Sequence, residues 1–327
     1  GMSADNGSLD TSGCNVNQAL AYNGSDNTIL INALSNLVFI DNSTLQTTGT
    51  NGNDPPIITC GSESDDAYGR DATRGGNSNL IINTSRMIIN NTNLIVVGGK
   101  GGLGGAVIRT SCVSGLDIFG GDGGNGGNAT IIFNVDEFII ENTLFNFKSG
   151  NGSHGYSIAS NNGWEQTGGR AGHGGATIFE INGNMSNGII NKFINITHKF
   201  DTDAGSSGKR GTATGNCGSG SDINGGVANS YLFIVNWKGY GFELSKGTNS
   251  TLNFSTGLAT SLATRGDSQI YIEVNDSFSI NENYTLSADV TSGSYQILNF
   301  TGHNLIRFQA INTIFQNVLN IYCRTPI

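Results

Sequence analysis

Short apolar runs separated by polar bends recur along this chain at a nearly constant interval. Thr28–Asn32, Leu37–Asn42 and Thr44–Thr48 form the first set, and a glycine- and polar-rich stretch follows it. Related runs begin at Asn79, Asn128, Ala176 and Ser230. Within each run apolar and polar positions alternate, and β-branched residues are frequent, which is the signature of a half-buried strand. No segment carries a 3.6-residue period, so the pattern predicts an all-β chain. Asn32, Asn83 and Asn134 are spaced by 51 residues and Asn182 follows after 48. At a second bend Asn42, Asn91, Asn142 and Asn191 are spaced by 49, 51 and 49. A period of this size marks stacked repeats.

Three short strands per unit with asparagine at a bend resemble the right-handed parallel β-helix, whose members include pectate-lyase-like enzymes, phage tailspikes and secreted adhesins. The resemblance covers roughly residues 28–320 and rests on pattern alone. It implies a single-stranded right-handed parallel β-helix in which bend asparagines such as Asn42, Asn91 and Asn142 stack in one column. A bare coil takes some 20–25 residues in that superfamily, so a unit of about 51 holds a long insertion. The expected organisation is an N-terminal cap or lead-in at 1–26, coils with glycine-rich loops at 27–236, and plain coils with a C-terminal cap at 237–327.

The insertions have their own rhythm. Residues 98–105 (GGKGGLGG), 120–127 (GGDGGNGG) and 168–175 (GGRAGHGG) repeat every third residue. Glycine triplets of this kind suit polyglycine-II-like packing, in which backbones approach closely because no side chain intervenes. The loops are therefore expected to be ordered and stacked on one another.

Composition narrows the function. The 49 glycines beside only three prolines rule out collagen. A net charge of −9 disfavours nucleic acid and anionic membranes as partners. No apolar run is long enough for a membrane span. Sequons such as Asn128, Asn195, Asn283 and Asn299 fit an extracellular or cell-surface location, with any export signal outside this sequence.

Candidate chemistry collects in the glycine loops. Cys60 and Asp65, Cys112 and Asp117, and Cys217 and Asp222 share one spacing. Stacked rungs would bring Cys60 and Cys112 within disulfide reach, although buried free thiols fit the same pattern. Asp65, Asp66 and Asp117 are the catalytic candidates, and with Glu63 they offer oxygens for a hard cation, Ca²⁺ being the one candidate cofactor. A solvated acidic loop explains the same residues. Trp164, Tyr68 and Tyr156 are candidate sugar-stacking aromatics, with packing of loops onto the coil as the alternative. His173 stands in Gly-His-Gly, but it fills the slot taken by Asn125 and Leu103 in the other octets, so the flanking glycines belong to the framework.

The reading that follows is an adhesin-like module that binds a glycan or surface receptor or serves a structural role. A polysaccharide lyase or glycoside hydrolase working through loop carboxylates, or a phage-type receptor-binding protein, are the alternatives.

Overall fold

A computed structural model describes residues 22–60, 66–109, 117–158 and 166–183, together with short strands before and after them. The described residues are all β, with no helix among them.

Three parallel ladders make up the body. The first runs through the leading halves of Asn27–Asp41, Ser78–Asn90 and Ala129–Glu141, then through Thr177–Gly183, Tyr231–Trp237 and on to Leu319–Cys323. The trailing halves of the same long strands open the second ladder, which continues through Asn191–Ile194 and Gly241–Ser245 to Leu305–Gln309. Thr44–Thr48, Asn93–Val97 and Leu144–Lys148 begin the third. Each unit adds one strand to every ladder in the same order, an arrangement compatible with a parallel β-helix.

Alternation decides which residues enter the core. Leu80, Ile82, Met87 and Ile89 are fully buried, as are Ile131, Phe133 and Ile140 one unit later. Phe133, Phe145 and Phe147 pack edge-on against Phe179, with ring centroids 5.6, 5.8 and 6.5 Å away. Such pairs add about 0.5–1.5 kcal/mol each beyond area burial.

The bend between the second and third ladders is set by backbone conformation. Asn42, Asn91 and Asn142 have φ of 46°, 45° and 47°, and they are the only non-glycine residues with positive φ among those described. Asparagine tolerates this region better than other side chains. The next hydroxyl closes each bend: Ser43, Thr92 and Thr143 donate to the carbonyls of Asp41, Asn90 and Glu141 at 2.7, 2.7 and 2.9 Å.

The amide ladder runs along the other asparagine series, on the outer face of the first ladder. Asn83, Asn134 and Asn182 each donate through Nδ2 to Oδ1 of Asn32, Asn83 and Asn134, at 2.6, 2.7 and 3.0 Å. Bend asparagines instead reach neighbours, Asn42 to Asp41 and Asn142 to Asn90. Asn191 does not continue the bend series. Its strand pairs Lys192 with Ile139, which places Asn191 inside a strand.

The glycine insertions form a second ordered layer. In each unit a segment leaves the third ladder (49–57, 98–106, 149–157) and another returns to the first (22–26, 69–77, 120–128, 168–176). Octet 98–105 is outgoing, whereas 120–127 and 168–175 are returning. Outgoing and returning segments alternate, and one line of backbone bonds crosses them all. Gly76 donates to Thr50, Gly99 to Gly76, Gly127 to Gly99, Gly150 to Gly127 and Gly175 to Gly150, at 2.7–2.8 Å. A second line lies three residues on, through Gly102, Gly124, Ser153 and Gly172. A third follows after another three, through Gly105, Gly121, Tyr156 and Gly169. The first glycine of a triplet bonds to the like-directed segment one unit later, as Gly75 does to Asn125 and Gly101 to Asn151.

The third residue of a glycine triplet carries a side chain, and at several of them its N–H is taken up by an Asn or Asp one unit earlier. Asn77 donates to Asp26 Oδ1, Asn128 to Asn77 Oδ1 and Ala176 to Asn128 Oδ1, at 2.7, 2.8 and 2.9 Å. Asp71, Asp122 and Arg170 form a parallel column. These backbone donors therefore have partners, as burial demands.

Candidate functional site

The far end of the glycine layer is where the sequence candidates gather. Each outgoing segment ends there in a short strand or bridge, and the returning segments at 69–77, 120–128 and 168–176 start from one. Ile58–Cys60 pairs in parallel with Val107–Arg109. Ala67–Tyr68, Ile118–Phe119, Gln166–Thr167 and Gly220–Ser221 stack as another parallel ladder. Ile58, Ala67, Val107, Ile118 and Ile158 close a small apolar core between them.

Ala67-Tyr68-Gly69 and Ile118-Phe119-Gly120 occupy equivalent rungs, with the small or aliphatic residue inward and the aromatic ring outward. Tyr68 and Phe119 stack face to face, ring centroids 4.7 Å apart and planes within 5°. Tyr68 stands on the last strand of its ladder and remains 58% exposed.

Asp66 fixes this ring. Its Oδ2 accepts from the Tyr68 hydroxyl at 3.4 Å, and its Oδ1 accepts from the Asp117 backbone N–H at 2.8 Å. Ala67 N–H donates to the Asp117 carbonyl at 2.9 Å, which sets the rung spacing. The Tyr68 phenol is held above its ordinary value of 10.0, first by partial loss of solvent, then by the charge and hydrogen bond of Asp66, and last by the charge of Asp117. The result is an exposed aromatic plate with acceptor oxygens along one edge.

Of the sequence candidates, Asp66 and Asp117 come together, one rung apart. Glu63, Asp65, Cys112 and Trp164 lie outside the described residues. Strand register places Arg109, not Cys112, opposite Cys60. Tyr156 is partly buried and packs on the apolar core, while its backbone joins the third glycine line. His173 N–H donates to Asn125 Oδ1 at 2.8 Å, so it occupies a framework slot equivalent to that of Asn125. Among the described residues no cluster of three His, Cys, Asp or Glu side chains is arranged to hold a metal ion.

Phe119 escaped the reading of the sequence. Its signal was the recurrence of an aromatic before Gly69 and Gly120, 51 residues apart. Among the described residues no helix is long and apolar enough to cross a membrane. No protein-family model, curated protein or solved structure matches the chain.

Proposed function

We propose that the chain is a right-handed parallel β-helix displayed outside the cell, and that it binds a glycan with the far end of its glycine layer. The handedness follows from the general preference of parallel crossover connections, which are right-handed in almost all sheets. The binding assignment rests on one observation, the Tyr68–Phe119 stack. A ring held flat by a neighbour, still more than half exposed and edged by Asp66, suits the apolar face of a pyranose. The neighbouring carboxylate oxygens accept from sugar hydroxyls, as the few polar groups of a binding site do.

The position supports the same reading. Loops borne on a rigid scaffold commonly carry recognition, and here the scaffold is a hydrogen-bonded backbone layer. The acids at this end have a structural use that needs no catalysis. Asp66 Oδ1 receives a backbone N–H from the next unit in the same way as Asp26, Asp71 and Asn77 do elsewhere. That repetition favours a binding module over a hydrolase or lyase.

A panel of neutral and acidic oligosaccharides, screened on an array and followed by calorimetry, tests the proposal. A bound glycan should lose about tenfold in affinity with Tyr68→Ala, the equivalent of roughly 1.4 kcal/mol, and much less with Tyr68→Phe. Absence of binding across the panel, or equal binding by Tyr68→Ala and the unmodified protein, would overturn it.

A further inference from the structure

Cysteine spacing along the chain singles out Cys60 and Cys112, but the backbone brings a different pair together. Strand Cys14–Val16 runs antiparallel to Ile58–Cys60, with Cys14 opposite Cys60, Asn15 opposite Thr59 and Val16 opposite Ile58. Directly opposed residues in an antiparallel pair have Cα atoms about 4.5–5.5 Å apart. That separation falls inside the range a disulfide requires, about 4.4–6.8 Å. On the other side of the same strand, Cys60 faces Arg109.

We infer that Cys14 and Cys60 form a disulfide that fastens the N-terminal strand to the far end of the glycine layer. The inference stands on strand register and does not depend on glycan binding. It is consistent with an oxidising exterior, where such bonds persist. Strand Cys14–Val16 is three residues long and lies at the edge of a three-stranded sheet, with Ile58–Cys60 as its one ladder neighbour. So short a strand has few backbone bonds to hold it, and a covalent tie at this point would keep it in register.

The bond forms by thiol–disulfide exchange with a low-molecular-weight disulfide such as oxidised glutathione. The thiolate of one cysteine attacks a glutathione sulfur and releases one glutathione thiolate, leaving a mixed disulfide. The thiolate of the other cysteine attacks the protein sulfur of that intermediate and expels the second glutathione thiolate. Two protein thiols are oxidised, one glutathione disulfide is reduced, and the two thiol protons go to solvent or to the departing thiolates.

Proteolysis under non-reducing conditions tests the pairing. No Lys or Arg precedes Arg70, so trypsin leaves both cysteines on one peptide. Cleavage before aspartate places Cys14 in 10–25, Cys60 in 54–64 and Cys112 in 71–116. The full chain is incubated folded in oxidised glutathione, its free thiols are alkylated, and it is then unfolded and digested. The expected result is peptide 10–25 joined to 54–64, lost on reduction. Cys14→Ser should abolish that species and leave Cys60 open to alkylation, whereas Cys112→Ser should retain it. A link between 54–64 and 71–116, or alkylation of both Cys14 and Cys60 in the unmodified protein, would overturn the inference.

Discussion

Gly99→Ala is the sharpest test of the glycine layer, because two accounts of that layer predict opposite signs. A methyl on Gly99 would stand 1.9 Å from the Thr50 carbonyl oxygen and 3.0 Å from the Gly76 nitrogen, both backbone atoms. Separations below 3.0 Å are not tolerated, so the two segments must part by about 1 Å. Three bonds of the first line lie at that point: Gly76 to Thr50, Gly99 to Gly76 and Gly127 to Gly99, at 2.8, 2.8 and 2.7 Å. A displacement of that size lengthens at least two of them beyond useful range. Each is worth about 0.5–1.5 kcal/mol net, and a buried group left without a partner costs about 1–3 kcal/mol more. The expected destabilisation is therefore about 3–5 kcal/mol.

Gly99 has no left-handed φ, so alanine meets no conformational penalty there. In a loose linker the same substitution would stabilise by about 0.4–1 kcal/mol, by restricting the unfolded chain. Equilibrium urea unfolding gives the sign. Lys100→Ala, at the exposed third position of the same triplet, serves as the control and should stay within about 0.5 kcal/mol. Amide exchange should show the loss of protection centred on 98–105 and 120–128. A stabilised or unchanged Gly99→Ala protein would refute the packed-layer account.

Two further outcomes follow from the bends and the aromatic plate. Asn91 sits at φ 45°, so Asn91→Ala should cost about 1–2 kcal/mol while Asn91→Gly stays near neutral; equal denaturation midpoints for the two would exclude backbone strain as the reason for asparagine there. Because the folded chain holds the Tyr68 proton more tightly than the unfolded chain does, its contribution to stability is intact below the ordinary phenol range and is lost as pH rises through the raised value. Alkaline ultraviolet titration of the protein against Tyr68→Phe should reveal this late-titrating phenol, and Asp66→Asn should move it down.

The fold was legible wherever one physical requirement repeated at one spacing. Alternation located the strands, and the series Asn42, Asn91, Asn142 located the bend, because both requirements act within a few residues. Extrapolating that series to Asn191 failed because spacing in sequence is not register. The connection ahead of Asn191–Ile194 has a different length from its predecessors, and only pairing with Ile139 reveals it. The same caution applies to the cysteines. Ile58–Cys60 and Val107–Arg109 are offset by 49 residues, whereas Asp66 and Asp117 are offset by 51. The intervening segments therefore differ in length, and a constant Cys-to-Asp spacing does not by itself give register. The amide ladder was visible as a series in Asn32, Asn83, Asn134 and Asn182. Its side-chain bonding was not visible, since sequence does not say which of two asparagine series has its amides facing one another.

The bonding rule of the glycine layer makes thickness a free variable of this protein. Each unit offers its neighbour the same kind of backbone donors and acceptors that it takes from the unit before, and several third-position N–H groups meet the Asn or Asp of the last. A unit inserted or removed whole keeps the backbone bonding pattern of the layer, while a single-residue slip within a triplet drives side chains into places taken by glycine. The layer therefore tolerates growth in steps of one complete unit and resists smaller edits. Successive units can bring new residues to the far end while the backbone lattice beneath stays the same.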